Sequence, residues 1–445
     1  MSPDRSRRCI LCIDLDCFFA QVLLKSRPDL VGKPVGIQQK YIIVTCTYEA
    51  RALGITKLML IEDALKIKPD LVILDGSDLT PFREVGRQFF QVTRATLGTE
   101  VPLERKGFDE IYADITLPAC VLLEEERRFG GNPPGFQGHV FPPIEFLTHQ
   151  QVESAALLKA GSQIAHELRR ELAARLGLKS CAGVSSNKFG AKLASNMNKP
   201  NDQTTFILGN EPAAAYFRDL NLRSIPGLGS ATKRLCRQNG LAEEVKTCGD
   251  LVDKVSLDEL TRILSGDAAF AQSLMRLARG EDDREVEPMD VWTKQLSREE
   301  TRLPHPTTFN GVRERLEELS LLLFDLIESR FDETFEWPTV VKLSIKFRGE
   351  SGRRSKSRSL GTCLMDEPTL KRVALELWSE FTVSPNFVAS HVNLCVCDFK
   401  PVDEATKAEG RASSSSSSLS NNDKKRGPKG LESFFGTKQA RMTDQ

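Results

Sequence analysis

The stretch Cys9–Ala20, CILCIDLDCFFA, decides how this chain is read. Ile10, Leu11 and Ile13 are apolar with no turn residue among them, which suits a strand covered on both faces. The run ends on a carboxylate, Asp14, followed closely by two adjacent aromatics. An acid at the end of a buried strand needs a partner. About ninety residues on, Gly107–Thr116, GFDEIYADIT, sets Asp109 and Glu110 just ahead of the alternating run Ile111–Ile115. Three carboxylates brought together from two neighbouring strands repel one another unless cations lie between them. The implied ligand is a pair of hard, oxygen-seeking ions such as Mg²⁺.

Two such ions about 4 Å apart serve in-line phosphoryl transfer, one activating the attacking oxygen and the other the leaving group. In that scheme Asp14 bridges both ions, Asp109 also ligates them, and Glu110 holds the ion beside the nucleophile. Asp16 repeats the acid two residues later and in principle points to the same face, but reads first as the start of the next helix. A triphosphate needs cations of its own. Tyr48 and Arg51, at a strand-to-helix junction, and Lys199, in NKPND, are spaced as donors from two different lobes.

A chain of 445 residues exceeds one typical core and predicts roughly three or four domains. Lys plus Arg and Asp plus Glu are equal at 61 each, so only local clusters can indicate a polyanionic partner. No apolar run approaches the length of a membrane span, and the chain reads as intracellular and not membrane-bound. The cysteines fall mostly in apolar segments. Cys9 and Cys12 have zinc-like spacing, but no second pair or nearby His completes a site, so reduced buried thiols are expected.

Between the two acid-bearing strands the pattern predicts a small mixed lobe, with strands at Pro34–Gln38, Tyr41–Tyr48 and Leu71–Leu74 and a long helix at Leu79–Leu97. Residues 121–150, rich in Gly, Pro and Phe, read as an inserted loop. An amphipathic helix at Ala155–Leu176, a strand at Cys181–Val184, a helix at Asn187–Met197 and a strand at Gln203–Leu208 follow. The order suggests an α+β fold with an antiparallel, ferredoxin-like sheet covered by two helices. From Glu211 the character is helical. Gly227 and Gly229, in IPGLGSATKRL, fit either a turn whose free N–H groups meet a DNA phosphate or an ordinary helix–helix turn.

A further unit from Val291 carries strands at Val340–Phe347, Arg358–Thr362 and His391–Phe399 and helices at Gly311–Ser329 and Leu370–Phe381. Lys342, Lys346, Arg348, Lys356 and Arg358 are concentrated there, as either a phosphate-binding surface or a solvated hairpin. The tail from about residue 401 to residue 445, with its serine run, cannot bury enough apolar surface to fold. Within it LESFFG, Leu431–Gly436, is an apolar island of the docking-peptide kind.

DLDCFFA, TYEARALGI, GFDEIYADIT, CAGVSSNKFGAKLASNMNKPN, IPGLGSATK and KQLSREET resemble, in order, the signatures of the Y-family translesion DNA polymerases. QQKYIIVTCTYEARALGITKLM resembles the iota branch more than the eta or kappa branches. The resemblance implies a right hand: palm at 1–17 and 79–208, fingers at 18–78, a helix-hairpin-helix thumb at 209–288 and an α/β little finger at 291–400. It implies a DNA-directed DNA polymerase that is a nuclear monomer. Its substrates are primer–template DNA and deoxynucleoside triphosphates, and it uses two Mg²⁺ ions, or Mn²⁺ in their place.

The resemblance assigns Asp14, Leu15, Asp109 and Glu110 to the metals. Phe18, Phe19, Tyr48, Arg51 and Lys199 are assigned to the nucleotide, with Phe19 as the steric gate against a 2′-hydroxyl. Gln39, Lys40, Ile42 and Val44 are assigned to a narrow templating pocket. Leu431, Phe434 and Phe435 have the spacing of a sliding-clamp peptide, although Pro428 stands where a Gln is usual. An eta-like polymerase, a nucleotide cyclase and a non-catalytic DNA-binding scaffold are the competing readings. The cyclase has no need of the basic unit and the Gly-x-Gly turn, and the scaffold has no need of three intact acids.

Overall fold

The computed structural model describes residues 8–129, 135–229, 232, 236–241, 243–289, 294–300, 304–334, 336–361 and 366–401. The chain divides between Met289 and Asp290 into two compact units. The strands of the first are β1 (Ile10–Leu15), β2 (Val35–Gln39), β3 (Ile42–Cys46), β4 (Met59–Leu60), β5 (Val72–Asp75), β6 (Leu103–Lys106), β7 (Glu110–Asp114), β8 (His139–Phe141), β9 (Ser180–Ser185) and β10 (Gln203–Phe206).

The larger sheet has the order β6-β7-β1-β9-β10-β8, and β1 lies inside it. Ile10, Leu11, Cys12 and Ile13 are all 0% exposed, as a strand flanked on both edges and covered on both faces requires. One face packs on helix Lys188–Met197 through Gly183, the other on helix Ala156–Leu176 through Val184. Gly183 is needed for that approach: a Cβ there would lie 2.0 Å from the Ala191 carbonyl oxygen and 2.3 Å from the Ser195 nitrogen.

The expected antiparallel sheet is corrected. β7, β1 and β9 are antiparallel neighbours, but β10 runs parallel to β9 and β8 parallel to β10. Helix Lys188–Met197 is a crossover between β9 and β10, and a crossover returns the chain in the same direction. The inserted loop at 121–150 is also corrected. Helix Thr116–Phe129 occupies its first part, and β8 adds an edge strand that pairs Phe141 with Phe206. Three residues are too short a strand for alternation to reveal.

The smaller sheet, β4-β3-β2-β5, lies in sequence between β1 and helix Thr80–Leu97. β2 and β3 form a hairpin that turns through Lys40, at φ 54°, and Tyr41. Thr47 begins the helix Tyr48–Ala52: its hydroxyl accepts from Ala50 N and from Val35 N. Residues 209–288 add a helical cluster around Phe217, Leu222, Ile225 and Leu274. The chain then returns to the large sheet, where Met289 N donates to the Leu103 carbonyl and Glu287 N to the Glu104 carboxylate. Among the described residues no helix is long and apolar enough to cross a membrane.

The second unit is an antiparallel sheet of β11 (Gln295–Glu300), β12 (Glu336–Phe347), β13 (Arg354–Ser359) and β14 (Ala389–Pro401) in the order β11-β14-β12-β13. Helices Phe309–Thr334 and Glu367–Ser379 share its core, around Trp378 and Leu343. The strand expected at Arg358–Thr362 instead covers 354–359, because RSKSRS is a polar edge strand whose place is set by its pairing with β12. β11 was not anticipated as a strand. Its inward positions include Arg298 and Glu300, both buried, which hides the alternation.

Candidate active site

β1 and β7 are paired so that Asp14 stands directly across from Glu110, and the 107–109 turn brings Asp109 beside them. Leu15 N donates to the Asp109 carbonyl at 2.8 Å. These four residues line one cavity of about 880 Å³ with Phe18 and Phe19. Val44, Thr45, Tyr48 and Arg51 reach it from the small lobe, and Lys192, Asn196 and Lys199 from the other side. The expected metal and nucleotide residues are therefore brought together from segments far apart in sequence.

Among the described residues no three His, Cys, Asp or Glu side chains are gathered tightly enough to hold a metal ion as they stand. Ammonium groups stand between the expected ligands. Lys192 Nζ donates to Asp14 Oδ2 at 2.8 Å and to Glu110 Oε2 at 2.6 Å, while Lys199 Nζ donates to Asp14 Oδ1 at 2.5 Å. Burial alone would raise the Asp14 carboxyl, but the two ammonium groups outweigh it and hold the group below its usual range. Among the described residues no ammonium group pairs directly with Asp109. Burial, and then the Asp14 charge, push its carboxyl up to about 6. A cation already sits between two of the acids, and every donor is an oxygen, carboxylate from the three acids and main-chain carbonyl from Leu15, so the set fits a hard divalent ion once the ammonium moves.

Phe18 is 3% exposed and packs edge-on to Phe19, which stacks on Phe82 at 3.9 Å between centroids. Phe19 is thus a cavity wall with its ring orientation set from behind. The Arg51 guanidinium lies 4.6 Å above the Tyr48 ring. Asp16 does not start the helix, a correction to its expected role. Helix Phe18–Leu24 has Cys17 at its cap with φ 34° and no side-chain cap. Asp16, 2% exposed, accepts instead from Tyr48 Oη at 2.8 Å, from Asn201 N at 2.7 Å and from the Cys181 thiol at 3.2 Å.

Other expected residues do not converge on this cavity. Of the four templating residues only Val44 lines it; Gln39 donates to the Gly76 carbonyl, Lys40 forms the hairpin turn, and Ile42 pairs with Leu60. Gly227 adopts φ +90°, which suits Gly, and its turn packs on Phe270; Gly229 has open space around it. The five basic residues of the second unit do not form one patch, a second correction. Cross-strand register puts Lys342 opposite Ser357 on the face away from the core, with Lys346 on the same face four residues along. Lys356 and Arg358 lie opposite Leu343 and Val341 on the other face, where Arg358 pairs with Glu376 and Glu380. Arg348 is exposed just beyond β12. The clamp-type residues Leu431, Phe434 and Phe435 lie outside the described residues.

Lys192 is the residue that sequence reasoning left without a role, although it stands in a quoted motif. Its signal was the spacing of Lys188 and Lys192, one turn apart on a helix, with Lys199 just beyond the end of that helix. Lys188 uses that spacing differently, in a buried pair with Glu104.

Residues 13–196 match the impB/mucB/samB family. With a bacterial relative matched over most of its length as well, the chain belongs to this family, the Y-family of DNA polymerases. It is 33% identical to DNA polymerase iota of Homo sapiens over 91% of this chain and 54% of the relative. It is 34% identical to DNA polymerase iota of Drosophila melanogaster over 79% of this chain and 45% of the relative. With DNA polymerase IV of Mannheimia succiniciproducens the identity is 30%, over 77% of this chain and 88% of the relative. The chain thus spans about half the length of the human and fly proteins.

Proposed function

We propose that this chain is a template-directed DNA polymerase of the iota-like translesion type, adding deoxynucleotides with low fidelity opposite damaged or mispaired template bases. The observation that carries the reading is the single cavity in which three carboxylates, two on one sheet and one in its adjoining turn, face a Tyr–Arg pair from a separate lobe and two lysines from a third segment. Residues 1–17 and 79–208 serve as palm, 18–78 as fingers, 209–288 as thumb and 291–400 as little finger.

Asp14, Leu15, Asp109 and Glu110 would hold two Mg²⁺ ions, or Mn²⁺ in their place, which lower the barrier by balancing charge on the attacking and leaving oxygens. Arg51 and Lys199 bind the triphosphate from opposite sides, and Tyr48 sets the Arg51 guanidinium. Phe19, backed by Phe82, closes the floor under the sugar and leaves no room for a 2′-hydroxyl. Primer–template DNA is held through its phosphates by the Gly227–Gly229 turn and by Lys342, Lys346 and Arg348. The tail peptide Leu431–Gly436 docks weakly on a sliding clamp, and the basic run Lys424–Arg426 serves as a nuclear address or meets the acidic clamp surface.

The test is extension of a primed template with each deoxynucleotide alone on all four template bases. Addition to the primer, accurate opposite A and poor opposite T, is the expected result. A cyclic mononucleotide as product, or no extension with either metal, would overturn the reading. Equal error rates opposite A and T would remove the iota-like assignment and leave a generic Y-family polymerase.

A further inference from the structure

Two of the three acids of the cavity are paired with ammonium groups, and the manner of it is specific. Asp14 has an ammonium on each oxygen, and the ammonium on Oδ2 is shared with Glu110. Lys192 projects from the middle of helix Lys188–Met197, which the close approach at Gly183 holds against β9. Its backbone already stands at the close approach that a glycine permits. The long flexible side chain is the part that can move most readily. The charge it supplies lies between the two acids expected to share a divalent ion.

We propose, resting on the metal-site reading above, that Lys192 is a resident counter-ion that holds the cation position between Asp14 and Glu110 and must be displaced for a divalent ion to bind. Metal loading is then an exchange of one cation for another. The exchange weakens intrinsic affinity for the metal, since both Lys192–carboxylate contacts are lost when the ion enters. A bound triphosphate reverses the balance. Lys192 lines the same cavity, so the displaced ammonium finds phosphate oxygens within reach of its flexible stem. Loading of metal and of nucleotide are thereby coupled, and by linkage each favours the other.

The test is Mn²⁺ binding to the full chain without nucleotide or DNA, followed by electron paramagnetic resonance, with thermal melting as a check on folding. Lys192→Met removes the competing charge and should tighten Mn²⁺ binding about tenfold. The melting temperature of that variant without metal should fall, because two acids are left facing each other, and Mn²⁺ should restore it. Lys192→Arg keeps the charge and should stay within about threefold of the parent. Lys192→Gln serves as the neutral variant if the methionine variant does not fold. Asp14→Asn separates the two ideas. If it leaves Mn²⁺ binding unchanged, the metal-site reading fails and the inference with it. If it abolishes binding while neither neutral variant tightens it, the counter-ion role alone is wrong.

Discussion

Asp14 and Asp16 stand two residues apart at the end of the same strand, yet the structure treats them in opposite ways. Asp14 is held by two ammonium groups, each on a flexible stem and each replaceable by another cation. Asp16 is held by neutral donors whose positions are set elsewhere: a phenol from the small lobe, a main-chain N–H after helix Lys188–Met197, and a thiol from β9. The first arrangement suits a site that exchanges ligands. The second is a clasp, joining the lobe that carries Arg51 to the sheet that carries the acids. Burial alone does not separate them; the chemistry of the partner does.

The largest expected effect comes from erasing the first member of the comparison. Asp14→Asn or Glu110→Gln should reduce nucleotide addition at least about a hundredfold, while primer–template affinity by fluorescence anisotropy stays nearly unchanged. Substantial residual extension would remove the distinction between the two regions. Asp16→Ala should act the other way round. It leaves the Tyr48 hydroxyl and Asn201 N–H without their charged acceptor, which should cost about 3 kcal/mol in urea unfolding. If the stability of that variant matches the parent and only activity falls, Asp16 belongs with the exchangeable group.

A smaller effect is expected at Phe19. Phe19→Ala loses the stack on Phe82, so absolute rates are a poor guide; the ratio of ribonucleotide to deoxynucleotide use should rise about tenfold by single-nucleotide kinetics, about 1.4 kcal/mol. An unchanged ratio would make the ring a packing residue. The smallest change is expected for Ile42→Ala on β3. If the templating pocket is narrow there, the difference in accuracy between templates A and T should shrink by a few fold, about 1 kcal/mol or less. The structure sharpens this test, because Val44 and not Ile42 lines the cavity. A parallel loss for Val44→Ala alone would place the roof at that residue.

Much of the frame was legible because it is encoded in local pattern. The unbroken apolar run of β1, the alternation of β7 and the amphipathic period of helix Ala156–Leu176 each announce an element within about two residues of its place. What escaped was short, polar or paired at a distance. β8 has three residues, β13 has no apolar residue, and β11 turns Arg298 and Glu300 inward. The five basic residues of the second unit looked like one cluster because they are near in sequence. Strand pairing separates them, since a side chain's face depends on its register and not on its neighbours along the chain.

From the sequence alone came two acid-bearing strands, a lobe inserted between them and a set of residue types suited to phosphate and hard cations. Tertiary structure alone decided which positive charge meets which acid. Lys192 and Glu110 are 82 positions apart, Lys199 and Asp14 are 185 apart, and Asp16 and Asn201 are likewise 185 apart. Periodicity records the face on which a side chain lies, and spacing records its height along an element. An ion pair depends on a third quantity, the distance between elements, and here a glycine on β9 sets it.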